Sequence, residues 1–483
     1  MSVTRNTLYN LAGSVVPLLV ALVTIPLYIH RIGTARYGVM AIVWVLLGYF
    51  GLLDLGLSRA TANQIAQLHE GPAKDREEIF WTACLMNTAL GMCGGLMLYL
   101  FARPFLGEWL KMSRALHAEA LEALPWIALA VPIATVTGVL AGALEGRRHF
   151  ATLNVFQAAG TILFQAVPLA AAFFISPKLQ VIIPVAVLVR AVSALPLAWE
   201  VKTSLGLRTY PRIRGDQMTR LLAYGTWITV TTLLSPFLES LDRFFIGVVL
   251  GAPAVAYYSV PFSLVGRTQV LPKALSRTLF PYLSAENPQQ GRSRALESVI
   301  TLAATMIPVA VLSMFLLQPF LSLWMGAEFA KRSALVGETL LCGIWLNGLA
   351  SIPYVMLQAQ GRPDIVAKFH LAELLPYVAL LWYCLHEFGL IGAAIAWATR
   401  VGVDALLLFW GATLGLEVTK RLIPGAVLVF SAWLCVRLIP TAAESGRIVA
   451  GATLLIAAGA WAFHSSARLR QEVTRVWRYV SVS

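Results

Sequence analysis

The sequence predicts an all-α polytopic membrane protein of about fourteen transmembrane helices, built as two parallel six-helix repeats plus two C-terminal helices. Three observations predict it. Hydrophobic residues make up 58% of the 483 and charged residues 13%, against roughly 45–50% and about 25% in a soluble domain. Apolar runs of about twenty residues recur from end to end, each long enough to cross about 30 Å of hydrocarbon. The chain also matches itself at an offset of 215–218 residues.

Taken in order, the first six spans fall near 9–30, 38–57, 79–102, 123–144, 153–175 and 179–199. The second six fall near 221–249, 255–274, 296–320, 334–358, 365–386 and 390–414, and two more near 422–440 and 446–465. The first run is longer than a signal-peptide core and no small-residue cleavage site follows it, so it is expected to remain as a span. Loop charges orient the set. Of the 37 Lys and Arg residues, 24 lie on segments that are inside if the N-terminus is inside, and 10 lie outside. That asymmetry is the positive-inside pattern and places both termini in the cytoplasm of a bacterial inner membrane. The net charge of +13 therefore reflects topology, and no nucleic-acid partner is expected.

The repeat is written in ordered matches. A shift of 218 pairs Gly33 with Gly251, Gly48 with Gly266, and Leu57-Ser58-Arg59 with Leu275-Ser276-Arg277. A shift of 215 pairs Pro104-Phe105-Leu106 with Pro319-Phe320-Leu321, Trp109 with Trp324, and Gly146-Arg147 with Gly361-Arg362. Six spans per copy is even, so both copies enter the membrane the same way, with a substrate site expected between the halves. The domains read as a lobe over 1–215, a second over 216–416, two extra helices over 417–466, and a basic cytoplasmic tail over 467–483.

The remaining three arginines lie within spans, where an ionisable residue is costly and usually faces a cavity or a partner. Arg190 stands mid-span 6 among aliphatics with no acidic neighbour at helical spacing; snorkelling or a backbone carbonyl is the structural alternative. Arg400 occupies a similar depth in span 12, with Asp404 one turn on. Arg243 shares a face with Glu239, and the two either neutralise each other or serve a site together with Asp242. A guanidinium suits bidentate phosphate binding, so Arg190, Arg243 and Arg400 are candidate substrate-binding residues for an anionic, phosphate-bearing substrate. Asp54, Glu239, Asp242, Asp404 and Glu373 are candidates for ion coupling or gating. Asp54 also reads as an interfacial residue, and Glu373 with His370 reads as a hydrogen-bonded pair or a proton relay. No catalytic residue, metal ligand set or cofactor is expected. The five cysteines sit in apolar runs without ligand spacing, and neither a phosphate-binding Gly-rich loop nor a Gly-x-Ser-x-Gly elbow occurs.

Further residues carry a family resemblance: Ile25-Pro26-Leu27-Tyr28, Gly33, Tyr37-Gly38 and Leu53-Asp54-Leu55-Gly56-Leu57-Ser58. The second half echoes them in Leu241-Asp242-Arg243-Phe244-Phe245-Ile246-Gly247, Gly251 and Tyr257-Tyr258, with Gln360-Gly361-Arg362 and Gly392-Ala393-Ala394-Ile395-Ala396 beyond. Over about residues 5–415 the chain resembles the O-antigen and exopolysaccharide flippases of the multidrug/oligosaccharidyl-lipid/polysaccharide exporter superfamily. The resemblance implies a transporter, not an enzyme, that flips polyprenyl-diphosphate-linked oligosaccharide by alternating access for surface polysaccharide biosynthesis. It implies membrane lipids around the chain, and a polysaccharide polymerase and glycosyltransferases as pathway partners. A multidrug or cation extruder of the same superfamily is the nearest alternative, but it would favour an acidic cavity. A membrane-embedded polymerase or ligase is another, although the longest outside segment, 103–122, is short for a catalytic loop.

Overall fold

The computed structural model describes residues 3–51, 54, 56–68, 72–207, 237–439, 443–466 and 469–471. These residues form helices joined by short turns, ten of them long and apolar enough to cross a membrane. Two of the ten, Val3–Gly51 and Pro363–Gly411, are each a pair of helices meeting at a non-helical glycine, Gly33 (φ 81°, ψ 161°) and Gly389 (φ 60°, ψ −137°). Those are conformations that only glycine adopts without strain. Both glycines fall in the gaps the sequence leaves between spans 1 and 2 and between spans 11 and 12. The chain is a multi-pass membrane protein with exposed aliphatic and aromatic side chains along its helices, Phe174, Leu323 and Leu375 among the barest.

Packing divides the chain into two compact units, Met1–Ala256 and Tyr257–Ser483. In the first unit, Ala73–Pro104 packs along Arg114–Gly146, and Phe150–Phe174 along Leu179–Leu205. Small residues allow the backbones to meet: a Cβ on Gly95 would lie 2.6 Å from the Ala128 carbonyl oxygen, and one on Gly142 would collide with that of Ser58. Leu57, Ile65, Phe80, Val139, Leu144, Leu153 and Val201 close the core at one end. The short helix Leu57–Gln67 has Gly56 at its N-cap in the left-handed region (φ 71°), and Asp54, two residues earlier, accepts the Ser58 N–H at 3.2 Å.

The segment 237–256 belongs to this unit by contact. The Lys111 N–H donates to the Gly247 carbonyl (3.2 Å), the Ala252 N–H donates to that of Lys111 (3.1 Å), and Gly38 presses on the Ala252 carbonyl. Packing thus draws its line after the expected 215/216 repeat boundary, which lies outside the described residues. The first half of span 7 and most of the basic tail lie outside them too. Gly251 nevertheless adopts φ 94°, matching Gly33 at the 218-residue offset.

In the second unit, Pro288–Met325 and Ala327–Ala359 pack together, and Ala327–Ala359 packs along Pro363–Gly411. Asn287 caps Pro288–Met325, its Oδ1 accepting from the Gln290 N–H at 2.9 Å, with Pro288 in the first turn. The two unrepeated helices, Gly415–Leu438 and Glu444–Ser465, are fastened to this unit. Trp433 Nε1 donates to Thr339 Oγ1 (3.1 Å), and Arg447 donates to Gln318 Oε1 (2.6 Å) and to the Val436 carbonyl (2.7 Å).

Candidate functional site

Two places in the chain gather charge inside the spans, one in each unit. In the first unit a cavity of about 380 Å³ lies among Arg114–Gly146, Phe150–Phe174 and Leu179–Leu205, within the size range of small-molecule sites. Arg190 lines it, half-buried, with its guanidinium carbon 6.0 Å from the centroid of the Phe164 ring. Gln157, Thr161, Ser193 and Thr137 add an amide and three hydroxyls to the wall. Among the described residues no carboxylate lines the cavity and no ion pair reaches Arg190. Ser193 Oγ is buried with no hydrogen-bond partner. Buried polar atoms are nearly always paired, yet the wall combines a guanidinium and a hydroxyl whose hydrogen-bonding capacity is unused among the described residues.

The second place lies where the two halves of Pro363–Gly411 face each other. His370 and Glu373 come from the half before Gly389, Arg400 and Asp404 from the half after it, and all four are buried. His370 Nε2 is 3.4 Å from Asp404 Oδ1, and Arg400 Nη1 is 3.6 Å from Glu373 Oε2. Arg400 also lies over the Tyr377 ring, 5.5 Å from its centroid. The members pair across the hairpin because residues equally far from its turn face each other. Arg400 is thereby committed to carboxylates and an aromatic face, unlike Arg190.

The other sequence candidates take separate places. Asp54 accepts from Asn87 Nδ2 (2.7 Å) and Ser58 Oγ (3.0 Å). On the helix 237–249, Glu239 is exposed, Asp242 is fully buried, and Arg243 is half-buried with its N–H donating to Asp242 Oδ1 (2.7 Å). Arg243 is not in the cavity wall, so the first unit brings Arg190, and not Arg243, to the cavity.

Sequence reasoning missed the cavity's polar wall, although its signal was present. Gln157, Thr161 and Phe164 recur at helical spacing on one face, as do Arg190, Ser193 and Leu197. It also missed the bidentate pair of Arg36 with Glu119 (2.8 and 2.6 Å), whose partners are 83 residues apart.

A model of the polysaccharide biosynthesis protein family matches residues 32–334. The chain is 29% identical over 416 residues to a Shigella flexneri protein named "Putative O-antigen transporter", covering 85% of this chain and 97% of that one. It is 25% identical over 221 residues to a "Probable low-salt glycan biosynthesis flippase" of Haloferax volcanii, covering 44% and 45% of the two chains. Among solved structures it is similar to the lipid II flippase MurJ in an inward closed conformation, with a TM-score of 0.69 at 12% identity over 95% of this chain and 99% of that one. An inward-facing multidrug resistance MATE family transporter gives a TM-score of 0.67 at 15% identity, over 87% and 96%. At these identities the two structures establish the fold.

Proposed function

The chain belongs to the polysaccharide biosynthesis protein family, and from that premise we propose that it flips lipid-linked oligosaccharide repeat units across the bacterial inner membrane for surface polysaccharide assembly. It is a transporter and not an enzyme. The relative matched over nearly its whole length is named as an O-antigen transporter and the second as a glycan flippase. The substrate class within this reading is a polyprenyl-diphosphate-linked glycan. The observation that carries it is the cavity in which Arg190 stands without a counter-ion among Gln157, Thr161 and Ser193. A diphosphate offers the acceptor oxygens that such a wall lacks, and a sugar offers hydroxyls to its amide and hydroxyl groups. A cation extruder would need a carboxylate there, and among the described residues none lines the cavity.

Alternating access between lobes 1–215 and 216–416, with both termini cytoplasmic, is the mechanism that accords with the repeat and the charge asymmetry. The pathway's glycosyltransferases would supply the substrate on the inner leaflet and a polymerase would consume it on the outer. The test is a deletion strain analysed for lipid-linked repeat units. Complete units held on the cytoplasmic leaflet, relieved by the wild-type gene, are the expected result. Unpolymerised units already in the periplasm would overturn the reading.

A further inference from the structure

The buried quartet of His370, Glu373, Arg400 and Asp404 has a charge balance that does not close. One guanidinium faces two carboxylates, so with a neutral imidazole the cluster carries one net negative charge. All four side chains are inside the second unit, Glu373 5% and Asp404 6% exposed. An uncompensated charge at such a place costs several kcal/mol. Among the described residues, no further cation pairs with Glu373 or Asp404. On Ala327–Ala359, Glu338 sits beside Arg447, and that helix also carries Cys342 and Tyr354. On Gly415–Leu438, Glu417 is paired with Arg292 and Arg421, while Lys420 and Arg437 are exposed. On the stretch before Val265, Tyr257 packs with Phe329 and Arg332, and Tyr258 with Phe262. On the hairpin itself, Asp364 pairs with Lys368 and His386 bonds the Trp382 carbonyl. The charges acting on Glu373 are those of Asp404 and Arg400.

The hydrogen bonding has the same deficit. Glu373 and Asp404 approach closely enough for their carboxyls to interact directly, yet two ionised carboxylates have no hydrogen to share. Both oxygens of Glu373 and Oδ1 of Asp404 are buried and accept no hydrogen bond, and Arg400 Nε beside them is also unbonded. One proton placed between the two carboxyls would neutralise the cluster and give the pair a hydrogen to share. Among the described residues no group of three or more His, Cys, Asp or Glu side chains is placed to hold a metal ion, which favours a proton over a metal cation.

We propose that the quartet is a proton-binding site, in which Glu373 and Asp404 share one exchangeable proton, Arg400 holds the second negative charge, and His370 passes the proton in and out. His370 is seven residues inside the start of the helix at Pro363, about 10 Å at 1.5 Å per residue, and so lies between the carboxyls and the exposed Asp364–Lys368 end. Uptake moves a proton from water to the imidazole and then to the carboxyl pair. Release returns it and leaves the cluster negative. The protonated cluster is suited to burial and the deprotonated one to contact with water, so the two states favour different surroundings of the same hairpin. Use of that difference to drive transport rests on the flippase reading; proton binding itself does not.

The test counts protons. The full-length protein, purified into liposomes without any glycan lipid, is stepped from about pH 8 to about pH 5 in weakly buffered solution with a soluble pH indicator, a window in which an ordinary carboxyl binds little. E373Q and D404N are each expected to take up one proton fewer per chain than the wild type. The double variant should lose no more than either alone, since both remove the same shared proton. R400Q should take up one more, while R400K should match the wild type. A wild-type count replacing K⁺ with Na⁺ needs no variant and should be unchanged. Unaltered counts in E373Q and D404N, or two protons lost in the double variant, would overturn the proposal. A wild-type count lowered by Na⁺ would overturn it in favour of a metal cation. Because no transport is measured, failure here is separate from failure of the flippase reading, which the deletion strain tests.

Discussion

Arg190 and Arg400 stand at similar depths in spans 6 and 12, one in each repeat, and the molecule uses them in opposite ways. Arg190 lines a cavity with hydroxyls and an amide and, among the described residues, no carboxylate, over the face of Phe164. Arg400 is buried against Glu373 and Tyr377, with Asp404 and His370 completing the cluster. The same residue type has no ion pair among the described residues in one unit and is a counter-ion in the other. The difference lies in what the neighbouring span contributes. Phe150–Phe174 brings Gln157 and Thr161 towards its arginine, whereas the first half of Pro363–Gly411 brings Glu373 and His370. A guanidinium that already has a carboxylate stabilises the fold; the one without is the proposed contact for the ligand.

Substitution separates the two roles. Arg400→Gln takes the cation away from two buried carboxyls, and breaking a buried pair in this way costs about 3–5 kcal/mol. A large drop in the thermal midpoint of the purified protein is expected, with Arg400→Gln/Asp404→Asn recovering most of it. Equal stability of Arg400→Gln and the wild type would show that the quartet is not held by charge. Arg190→Gln should do the reverse. Its thermal midpoint should stay near that of the wild type, while flipping falls by roughly 10- to 100-fold, the loss of a charge-assisted contact of about 1.5–3 kcal/mol. Flipping is read as accumulation of lipid-linked units at matched expression. Normal flipping in Arg190→Gln would remove the cavity from the transport path.

How far this contrast was legible in sequence follows from range. Span number, the turns at Gly33 and Gly389 and the family resemblance all rest on local pattern. Hydrophobic run length and glycine position carry those, and the family match over 32–334 bears the resemblance out. The pairing of Glu373 with Arg400 and of His370 with Asp404 is different, because it depends on which residues face each other across a hairpin. Both pairs are centred close to position 387, so the antiparallel geometry contained them once the turn was placed. The i, i+4 spacing of Arg400 and Asp404 drew attention along one helix instead of across two. The cavity wall was harder, because Gln157 and Thr161 are unremarkable in a polar tally and acquire meaning only when Arg190 is packed beside them.

The repeat also permits a finer comparison, between Gly33 and Gly251. Both have φ in the left-handed region, 81° and 94°, where an alanine is strained by about 1–3 kcal/mol. A Cβ on Gly33 meets nothing within 4 Å, whereas one on Gly251 lies 2.9 Å from the Lys111 carbonyl oxygen. Gly251→Ala should therefore lower the thermal midpoint more than Gly33→Ala, because the backbone link from Lys111 to Gly247 and Ala252 must also give. Equal losses would mean that the strain is in the turn alone and that the Lys111 strap adds no constraint.

The smallest effects are expected in the cavity wall. Ser193→Ala removes a buried hydroxyl that has no partner in the protein, so it should leave stability unchanged or slightly raised, since an unpaired buried polar group is a net cost. If Ser193 donates to the substrate, the same change should reduce flipping by a factor of about 2–10, the equivalent of one neutral hydrogen bond at about 0.5–1.5 kcal/mol. Thr161→Val tests the facing helix in the same way. The informative combination is each of these with Arg190→Gln. Side chains that grip one anion together should be non-additive, so removing Ser193 after Arg190 has been lost should change flipping little. Full additivity would place the hydroxyl and the guanidinium on different parts of the substrate, with Arg190 on the phosphate and the Ser193 side of the wall on the sugar.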